Sequence, residues 1–405
     1  MILKETLKAI VKAQRRELSS YDPGIEREAF GKIFLDVPFA VVISGIRRCG
    51  KSTLLRQVMK QKHSAYYFKF EDPRAENFEV ADFEKLDEIL REEYGDSEYY
   101  FFDEIQNVEK WELYVRKMLD GKKRFLLTGS NASLLSKELG TRLTGRHLNL
   151  ELFPFSFREF LAFTGKKAGA DSFEEYFQKG GFPEYLASGR VDMLQELFED
   201  IIERDIVVRH RLKSAKIIKE MALYLLTNAG KEFSYNSLKS VFALGSANTA
   251  ADYVSYLEDS YLLFTVPKFE YSLKKEIVNP KKVYSVDNGL SAASSVSFTA
   301  DKGRMLENLV FLHLKRQNKQ VSYFREKNEC DFVVKEKRAV TAAIQVCYQL
   351  TDENKDRELK GLSEALEKFG LKDGLILTYD QEDELKAANK RIILKPVWKW
   401  MLDEG

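Results

Sequence analysis

The sequence predicts an α/β protein whose first part is a parallel β-sheet covered by helices on both faces. Short, almost wholly apolar runs recur in this part of the chain, and helical stretches separate them. Strands that are buried on both faces have this character, because none of their positions faces water. The runs occupy residues 39–44, 65–70, 99–103, 124–129 and 146–151.

Length and composition place this sheet in a larger chain of two or three domains. The chain has 405 residues, of which 44% are hydrophobic and 31% are charged. This composition excludes global disorder, a collagenous chain and a coiled-coil rod. Because 64 Lys and Arg residues stand against 63 Asp and Glu residues, the net charge is +1. That balance excludes a chain-wide attraction for polyanions but leaves room for local basic patches.

The cysteine and histidine content excludes two further classes of protein. Three cysteines, Cys49, Cys330 and Cys347, cannot form a disulfide framework, and four scattered histidines show no zinc spacing. The charged N-terminus is unlike a signal peptide, and the longest apolar stretch, 37–46, is about half a membrane span. We therefore expect a soluble, cytoplasmic protein with no membrane association.

The most specific motif in the chain follows the first predicted strand. Residues 45–53, Gly-Ile-Arg-Arg-Cys-Gly-Lys-Ser-Thr, match G-x-x-x-x-G-K-[ST] between a strand and a predicted helix. The glycines let the backbone turn its N–H groups inward, and the helix adds its positive N-terminal end. The lysine supplies a charge for the β- and γ-phosphates, and the serine supplies a hydroxyl for Mg²⁺. The predicted nucleotide-binding residues are Gly45, Gly50, Lys51, Ser52 and Thr53.

Two carboxylates end the third apolar run. Asp103 and Glu104 follow the apolar residues 99–102, and ligands of parallel α/β sheets bind at the carboxyl ends of the strands. Asp103 would belong to the Mg²⁺ site, and Glu104 would polarise an attacking water as general base. Downstream of a phosphate-binding motif, this pair predicts a hydrolytic site rather than a helix cap.

Polar residues beyond the fourth run extend the predicted site. Asn131 follows the strand and could bind the attacking water or the γ-phosphate. Arg142 and Arg146 stand beside glycines within 139–146. An arginine just past the sheet edge can neutralise transition-state charge, in cis or on a neighbouring subunit. The alternative is that both are surface arginines paired with acidic residues.

Together these segments resemble the AAA-superfamily P-loop ATPases. The resemblance lies in the Walker A motif, 45–53, the Walker B strand with its acidic pair, Asn131 and the Gly-Arg turn. It implies ATP and Mg²⁺ as cofactors, Asn131 as a sensor, and Arg142 or Arg146 as an arginine finger. It also implies active sites at subunit interfaces, and hence a homo-oligomer. No Asn-Lys-x-Asp guanine signature follows the sheet, which favours ATP over GTP.

A narrower resemblance covers most of the chain. Residues 102–106, 127–131 and 181–184 read Phe-Asp-Glu-Ile-Gln, Leu-Thr-Gly-Ser-Asn and Gly-Phe-Pro-Glu. They look like segments of a group of archaeal and bacterial ATPases that join this module to a C-terminal domain of unknown role. Residues 203–206 also look like a signature of that group. Within them, Arg204 either reaches the nucleotide or pairs with a neighbouring acidic residue, Glu203 or Asp205.

The middle of the chain resembles a winged helix. Its third predicted helix carries no cation, so base readout through that helix is not expected. The predicted helices span 216–226, 235–242 and 247–257, and the predicted wing strands span 262–266 and 282–286.

Cations flank this third helix instead. They could contact phosphates without sequence preference, which would make DNA a partner. The alternative is a solvated face on a packing module. The flanking cations are Arg209, Arg211, Lys213, Lys216, Lys219, Lys274, Lys275, Lys281 and Lys282.

The last part of the chain places Glu307 on a predicted helix and Asp331 on a predicted strand, with Gln345 and Cys347 on the next strand. This order resembles restriction-endonuclease-like nuclease folds, in which two carboxylates hold Mg²⁺ and a lysine activates water. Here Gln345 stands in the place of a carboxylate and Cys347 in the place of the lysine. A neutral amide is a weaker ligand, and a thiol supplies no fixed positive charge, although it could bind a soft metal. We expect a nuclease-like fold with little or no cleavage, in which Glu307 and Asp331 could still bind a divalent ion. An α/β domain without a site is the alternative.

Four segments follow from these patterns and resemblances. They are an AAA-type P-loop ATPase core, a helical lid, a winged-helix-like module and a nuclease-like α/β domain. Their boundaries are 1–152, 153–213, 214–300 and 301–405.

Three functions are compatible with this organisation. The first is an ATPase that couples Mg-ATP turnover to conformational work, including work on DNA. The second is a binding module for nucleic acid or protein that ATP gates with little turnover. The third is an ATP-regulated nuclease, which the residues at 345 and 347 disfavour.

Overall fold

A computed structural model describes residues 1–130, 145–294, 301–337, 339–387 and 389–403. The chain forms two compact units. Unit 1 comprises Met1–Phe153 together with Asp259–Tyr261, and unit 2 comprises Pro154–Glu258 and Leu262–Gly405. Among the described residues, no helix combines the length and apolar character needed to cross a membrane.

Unit 1 is built on a five-stranded sheet whose neighbouring strands are all parallel. Its order is β2-β3-β4-β1-β5. Each of the five apolar runs forms one of these strands, so the prediction of a parallel α/β sheet is confirmed. The strands are β1 (Ala40–Ser44), β2 (Tyr66–Lys69), β3 (Tyr99–Asp103), β4 (Arg124–Gly129) and β5 (His147–Glu151).

Helices cover this sheet. The first helix buries Leu7, Ile10 and Val11, whose spacing of three and four residues defines one apolar face. These residues share a core with strand aromatics such as Phe68 and Phe102. The helices of unit 1 are α1 (Lys4–Ser19), α2 (Lys51–Met59), α3 (Asp82–Tyr94) and α4 (Trp111–Asp120), with 3₁₀ turns at Phe30–Lys32, Pro73–Ala75 and Ile105–Asn107.

Unit 2 begins with the helices that the sequence predicted after residue 153. The first of them starts with a capping box, in which the Ser156 hydroxyl accepts the N–H of Glu159 and the Glu159 carboxylate accepts the N–H of Ser156. The elements are α5 (Phe157–Thr164), α6 (Ala170–Lys179), α7 (Pro183–Ser188), α8 (Asp192–Asp200) and a π-helix (Ile201–Val208).

The next part of unit 2 contains the three helices and the antiparallel strand pair that the sequence predicted. A short additional strand extends the pair to a sheet of order β6-β8-β7. The winged-helix assignment itself stays a prediction. The elements are α9 (Lys216–Thr227), β6 (Glu232–Phe233), α10 (Tyr235–Val241), α11 (Ala247–Asp259), β7 (Leu263–Pro267), α12 (Leu273–Val278), β8 (Lys281–Ser285) and α13 (Asn288–Ser294).

The last part of unit 2 is a mixed six-stranded sheet of order β13-β14-β12-β11-β10-β9. Two of its strands, β13 and β14, were not predicted from the sequence. The edge strand β13 is mostly charged and lacks an apolar run, as edge strands often do. The elements are α14 (Lys302–Arg316), β9 (Gln320–Arg325), β10 (Glu329–Glu336), β11 (Ala339–Val346), α15 (Lys355–Phe369), β12 (Asp373–Thr378), β13 (Asp383–Ala387), β14 (Lys390–Pro396) and α16 (Val397–Asp403).

Asp287 fixes the break between α6 and α7. Its carboxylate accepts the N–H of Gly181 at 2.7 Å and the N–H of Leu290 at 2.9 Å. Burial raises the pKa of this carboxyl to about 6, against the favourable influence of these N–H groups and of Arg316. Unfolded aspartate titrates at about 3.9, so the folded chain binds a proton here at a pH at which the unfolded chain does not.

This carboxyl predicts a pH dependence of stability. Because the folded pKa lies above the unfolded one, the contribution of Asp287 should increase as the pH falls from about 6 towards about 4, and should be smallest above pH 6. The Asp287→Asn variant cannot titrate, so its thermal midpoint should rise less than that of the wild type between about pH 7 and pH 5. Identical pH profiles of the two proteins would contradict the assignment.

Candidate functional site

Three predicted site segments meet at one edge of the unit 1 sheet. The strands β1, β3 and β4 are parallel neighbours, so their carboxyl ends lie at the same edge. The 45–50 loop follows β1, Asp103 ends β3, and Ser130 follows β4. This edge is therefore where the phosphate motif and the acidic pair come together.

The loop at 45–50 requires its two glycines. Gly45 has φ +152°, and a Cβ there would lie 2.1 Å from the carbonyl oxygen of Leu152. Gly50 has φ +101°, and a Cβ there would lie 2.7 Å from Nη1 of Arg27. The helix α2 begins at the next residue, so its free N–H groups open onto the loop as an anion site.

Lys51 lies inside this loop, with only 4% of its surface exposed. Its ammonium donates to the carbonyl oxygens of Gly45 at 3.1 Å and Ile46 at 3.0 Å. The Glu104 carboxylate lies 3.8 Å away. Phosphate oxygens entering the loop can replace these carbonyls as acceptors, with a stronger charge-assisted bond.

Ser52 and Asp103 form a pair of oxygen ligands. The Ser52 hydroxyl donates to Oδ1 of Asp103 at 2.9 Å, and the Thr128 hydroxyl donates to the same oxygen at 2.5 Å. Tyr67 donates to the other oxygen, Oδ2, at 3.2 Å. Burial and the nearby carboxylate raise the pKa of Tyr67, so this donor stays neutral.

This pair suits Mg²⁺, which prefers hard oxygen ligands. Across the described parts of the chain, no group of three His, Cys, Asp or Glu side chains could hold a metal ion. Mg²⁺ commonly binds through one or two carboxylates plus substrate phosphates. Ser52 and Asp103 would therefore hold the ion together with the phosphates of a bound nucleotide.

Glu104 is held in place by residues whose role the sequence analysis missed. Its φ of +54° is unusual for a residue with a side chain, and its N–H donates to the Thr128 hydroxyl at 2.9 Å. The Gln106 amide donates to Oε2 of Glu104 at 2.5 Å and to the Ser130 hydroxyl at 3.4 Å. Gln106 therefore positions Glu104; its place two residues after the acidic pair was the available signal.

Two residues of the N-terminal segment form hydrogen bonds to the phosphate loop and to the first turn of α2. The buried guanidinium of Arg27 donates to the carbonyl oxygens of Cys49 at 2.7 Å and Phe153 at 2.8 Å. The Thr53 hydroxyl lies 2.6 Å from the hydroxyl of Tyr21. Neither Arg27 nor Tyr21 belongs to a recognisable sequence motif, so their contacts with the site could not be predicted from the sequence.

The end of β1 is also braced. Ser44 donates to Oδ1 of Asn149 at 2.9 Å and accepts the hydroxyl of Tyr261 at 2.7 Å. Tyr261 is only 2% exposed and belongs to the short segment Asp259–Tyr261 that unit 1 takes from a distant part of the sequence.

Arg146 does not join this site within the chain. Arg146 directly precedes β5, whose first residue, His147, pairs with Ala40, the first residue of β1. It therefore lies at the amino ends of the strands, opposite the phosphate loop, where it forms an ion pair with Asp120. Of the possibilities left open by the sequence, this register disfavours action in cis, and the ion pair with Asp120 matches a surface arginine paired with an acidic residue. Arg142 and Asn131 lie outside the described residues.

Arg204 pairs with an acidic residue other than the two neighbours, Glu203 and Asp205, that the sequence suggested. On the π-helix its Nε lies 3.2 Å from Oδ1 of Asp200, one turn earlier. This is the ordinary pairing of side chains four residues apart on one helix face.

A second group of charged residues lies in unit 2. The ammonium of Lys282, on β8, lies 2.9 Å from Glu307, 2.8 Å from Glu329 and 3.0 Å from Asp331. We call these four residues the Lys282 cluster. Lys282 is only 2% exposed, so its assignment to an exposed basic surface is wrong. The sequence alone does not show whether a lysine on a strand is buried or exposed, because its burial depends on residues that are distant along the chain.

Gln345 forms a hydrogen bond to a member of this cluster, whereas Cys347 is a buried free thiol. Oε1 of Gln345 accepts the N–H of Asp331 at 3.3 Å, and its amide donates to Glu358 at 2.7 Å. Burial raises the pKa of Cys347 to about 12. That thiol therefore stays protonated over the ordinary pH range.

Comparisons with known proteins identify the first segment. A family model described as an AAA domain matches residues 38–161. Models described as domains of unknown function, DUF8612 and DUF4143, match residues 170–300 and 302–400. The prediction of an AAA-type P-loop ATPase domain is therefore confirmed, whereas the nuclease-like assignment stays a prediction.

Two curated relatives extend over most of the chain. The uncharacterized protein MJ1544 of Methanocaldococcus jannaschii is 34% identical over 396 residues, covering 89% of this chain and 88% of the relative. An uncharacterized protein of Haemophilus influenzae is 30% identical over 347 residues, covering 79% and 85%. Among solved structures, the Walker-type ATPase PABY2304 of Pyrococcus abyssi has 14% identity and a TM-score of 0.40, covering 73% of this chain and 96% of that one.

Proposed function

Because this chain belongs to the family of the Methanocaldococcus jannaschii protein MJ1544 and carries an AAA domain, we propose that it binds ATP with Mg²⁺ and hydrolyses it. The proposal rests above all on one arrangement. The Ser52 hydroxyl lies 2.9 Å from the Asp103 carboxylate, beside Lys51 and Glu104, at the edge where α2 begins. This combination supplies a phosphate cradle, hard oxygen ligands and a base in one place.

Each residue has a distinct task in this proposal. The N–H groups at the start of α2 and the Lys51 ammonium bind the β- and γ-phosphates, and Thr53 lies on the same first turn. Ser52 and Asp103 would hold Mg²⁺, which would neutralise negative charge on the phosphates. Glu104, oriented by Gln106, accepts a proton from the water that attacks the γ-phosphorus.

The arginine finger is proposed to come from a second copy of the chain. Arg146 cannot reach its own phosphate loop from the opposite edge of the sheet, so it can serve only in trans, within a homo-oligomer. Arg142 remains the other proposed finger, and Asn131 the proposed sensor. Both are proposed from the sequence alone.

We propose that ATP turnover drives conformational work on DNA. Five cations that flank the third predicted helix of the middle segment are exposed, and they can contact phosphates without reading bases. They are Arg211, Lys213, Lys216, Lys274 and Lys275.

Steady-state turnover of Mg-ATP by the full chain tests this function. We expect phosphate release that requires Mg²⁺ and increases severalfold with duplex DNA, and the increase should fall as salt rises, because phosphate contacts release counterions. Turnover that DNA leaves unchanged would contradict the DNA role. Nucleotide binding with negligible turnover, with or without DNA, would favour a gated binding module instead.

A further inference from the structure

The side-chain amide of Gln106 has a fixed orientation beside the proposed general base. Its nitrogen donates to Oε2 of Glu104 at 2.5 Å and to the Ser130 hydroxyl at 3.4 Å. A carboxylate can only accept hydrogen bonds, so the nitrogen of the amide, and not its oxygen, must face Glu104. This contact therefore settles which end of the amide is the nitrogen and which is the carbonyl oxygen, Oε1.

The carbonyl oxygen of Gln106 is buried without a donor. It has almost no contact with solvent, and none of the residues that the structure describes donates a hydrogen bond to it. Buried acceptors in native proteins are nearly always paired, and an exception calls for a water, an ion or a catalytic role. Because this acceptor belongs to a side chain that already contacts Glu104, a donor that takes part in the reaction is a suitable partner.

The backbone that carries Gln106 is anchored. Gln106 is the middle residue of the 3₁₀ turn Ile105–Asn107. Ile105 is fully buried in the core of unit 1, and the N–H of Asn107 donates to the carbonyl oxygen of Glu104 at 3.2 Å. The turn therefore holds Glu104 and Gln106 in a fixed relation before any substrate binds, which is what positioning of a reactant requires.

The spacing of Glu104 and Gln106 suits one water molecule between them. The nitrogen and oxygen of an amide lie about 2.3 Å apart, which places Oε1 of Gln106 within about 4.8 Å of Oε2 of Glu104. A water that donates to two acceptors at the usual length of about 2.8 Å holds them about 4.5 Å apart. One hydrogen of such a water can reach the Glu104 carboxylate while the other reaches the Gln106 carbonyl.

The other oxygen of Glu104 faces the phosphate loop. Oε1 of Glu104 lies 3.8 Å from the Lys51 ammonium, the group proposed to bind the β- and γ-phosphates. A water that donates both of its hydrogens to Glu104 and Gln106 keeps its lone pairs free. These lone pairs can then face the γ-phosphorus, which is the orientation that a nucleophile needs.

We propose that Gln106 is a second catalytic residue of the ATPase site, whose carbonyl oxygen accepts a hydrogen bond from the attacking water while Glu104 accepts its proton. The proposal rests on the proposed ATP hydrolysis and adds the group that orients the nucleophile. The water oxygen bonds to the γ-phosphorus, and the bond from that phosphorus to the bridging oxygen of ADP breaks. One proton passes to Glu104, and the other hydrogen stays on the phosphate that forms.

Measuring kcat and ATP affinity of the full-length Gln106→Met variant tests the proposal. Methionine has nearly the shape of glutamine but neither the donor nor the acceptor. We expect kcat to fall about 10- to 100-fold while ATP affinity stays at the wild-type value, because the phosphate loop is unchanged. Retained affinity also shows that the variant is folded. The exposed Asn107 is the next residue of the same turn, and the Asn107→Leu variant should turn over at the wild-type rate.

A second comparison separates contact with the water from an effect through Glu104. In the Glu104→Gln background, Gln106 can no longer act by orienting a base. Adding Gln106→Met should still slow the residual single-turnover rate by a further factor of about 5 or more, because its own bond to the water is lost. No further loss in this background would overturn the proposal, as would wild-type kcat in Gln106→Met. A wild type that releases no phosphate from ATP would overturn the proposed function as well, so the two failures are distinguishable.

Discussion

Replacing Lys51 with alanine should weaken ATP binding about 100-fold or more, which corresponds to roughly 3 kcal/mol. The ammonium lies inside the loop, within 3.1 Å of the carbonyls of Gly45 and Ile46, where the phosphates of a nucleotide would lie. Alanine removes the charge and all three donors from this buried position. Equilibrium titration of a fluorescent ATP analogue with Mg²⁺ measures the loss.

A lysine outside the loop provides the matched control. Lys60 follows α2 at its other end and is exposed, so the Lys60→Ala variant should bind ATP as the wild type does. Thermal unfolding of both variants distinguishes loss of binding from loss of structure. Unchanged affinity in a folded Lys51→Ala protein would contradict the phosphate site.

The Glu104→Gln variant should bind ATP normally but hydrolyse it about 100- to 1,000-fold more slowly. The amide has the shape of the carboxylate but cannot accept a proton, and general-base catalysis typically contributes a factor of this order. Binding should survive, because Lys51 and the start of α2 remain. Phosphate release and nucleotide affinity, measured on the same preparation, separate the two effects.

Glu109 is the corresponding control, because it is exposed in the loop that follows the acidic pair. The Glu109→Gln variant should turn over at the wild-type rate. Normal hydrolysis by Glu104→Gln would show that another group takes the proton. A parallel loss of affinity in that variant would point to a binding role for Glu104 instead.

Local sequence information predicted most of unit 1. Apolar strands, the 45–53 loop and the acidic pair at 103–104 each depend on neighbouring residues, and parallel strand topology then brings them to one edge. The position of Arg146 could not be predicted in the same way. It depends on which end of β5 meets which end of β1, and that follows from the pairing of distant strands.

Dependence on distant residues also explains why the burial of Lys282 in unit 2 was not predicted. Lys282 precedes its partners Glu307 and Asp331 by many residues, and only tertiary structure shows that a strand lysine turns inward to meet them. The position at which the nuclease resemblance would place a lysine is occupied by Cys347. Motif spacing does not detect a charge that a distant part of the chain contributes.

The hydrogen bond between Tyr261 and Ser44 has a consequence for modularity. A fragment that stopped at residue 153 would contain every strand of the five-stranded sheet, yet it would lack a buried aromatic residue that braces the strand leading into the phosphate loop. Recombination that exchanged everything after that point would replace Tyr261 as well. We therefore expect chimeras that replace the segment Asp259–Tyr261 together with the rest of the chain to be less stable than the intact protein.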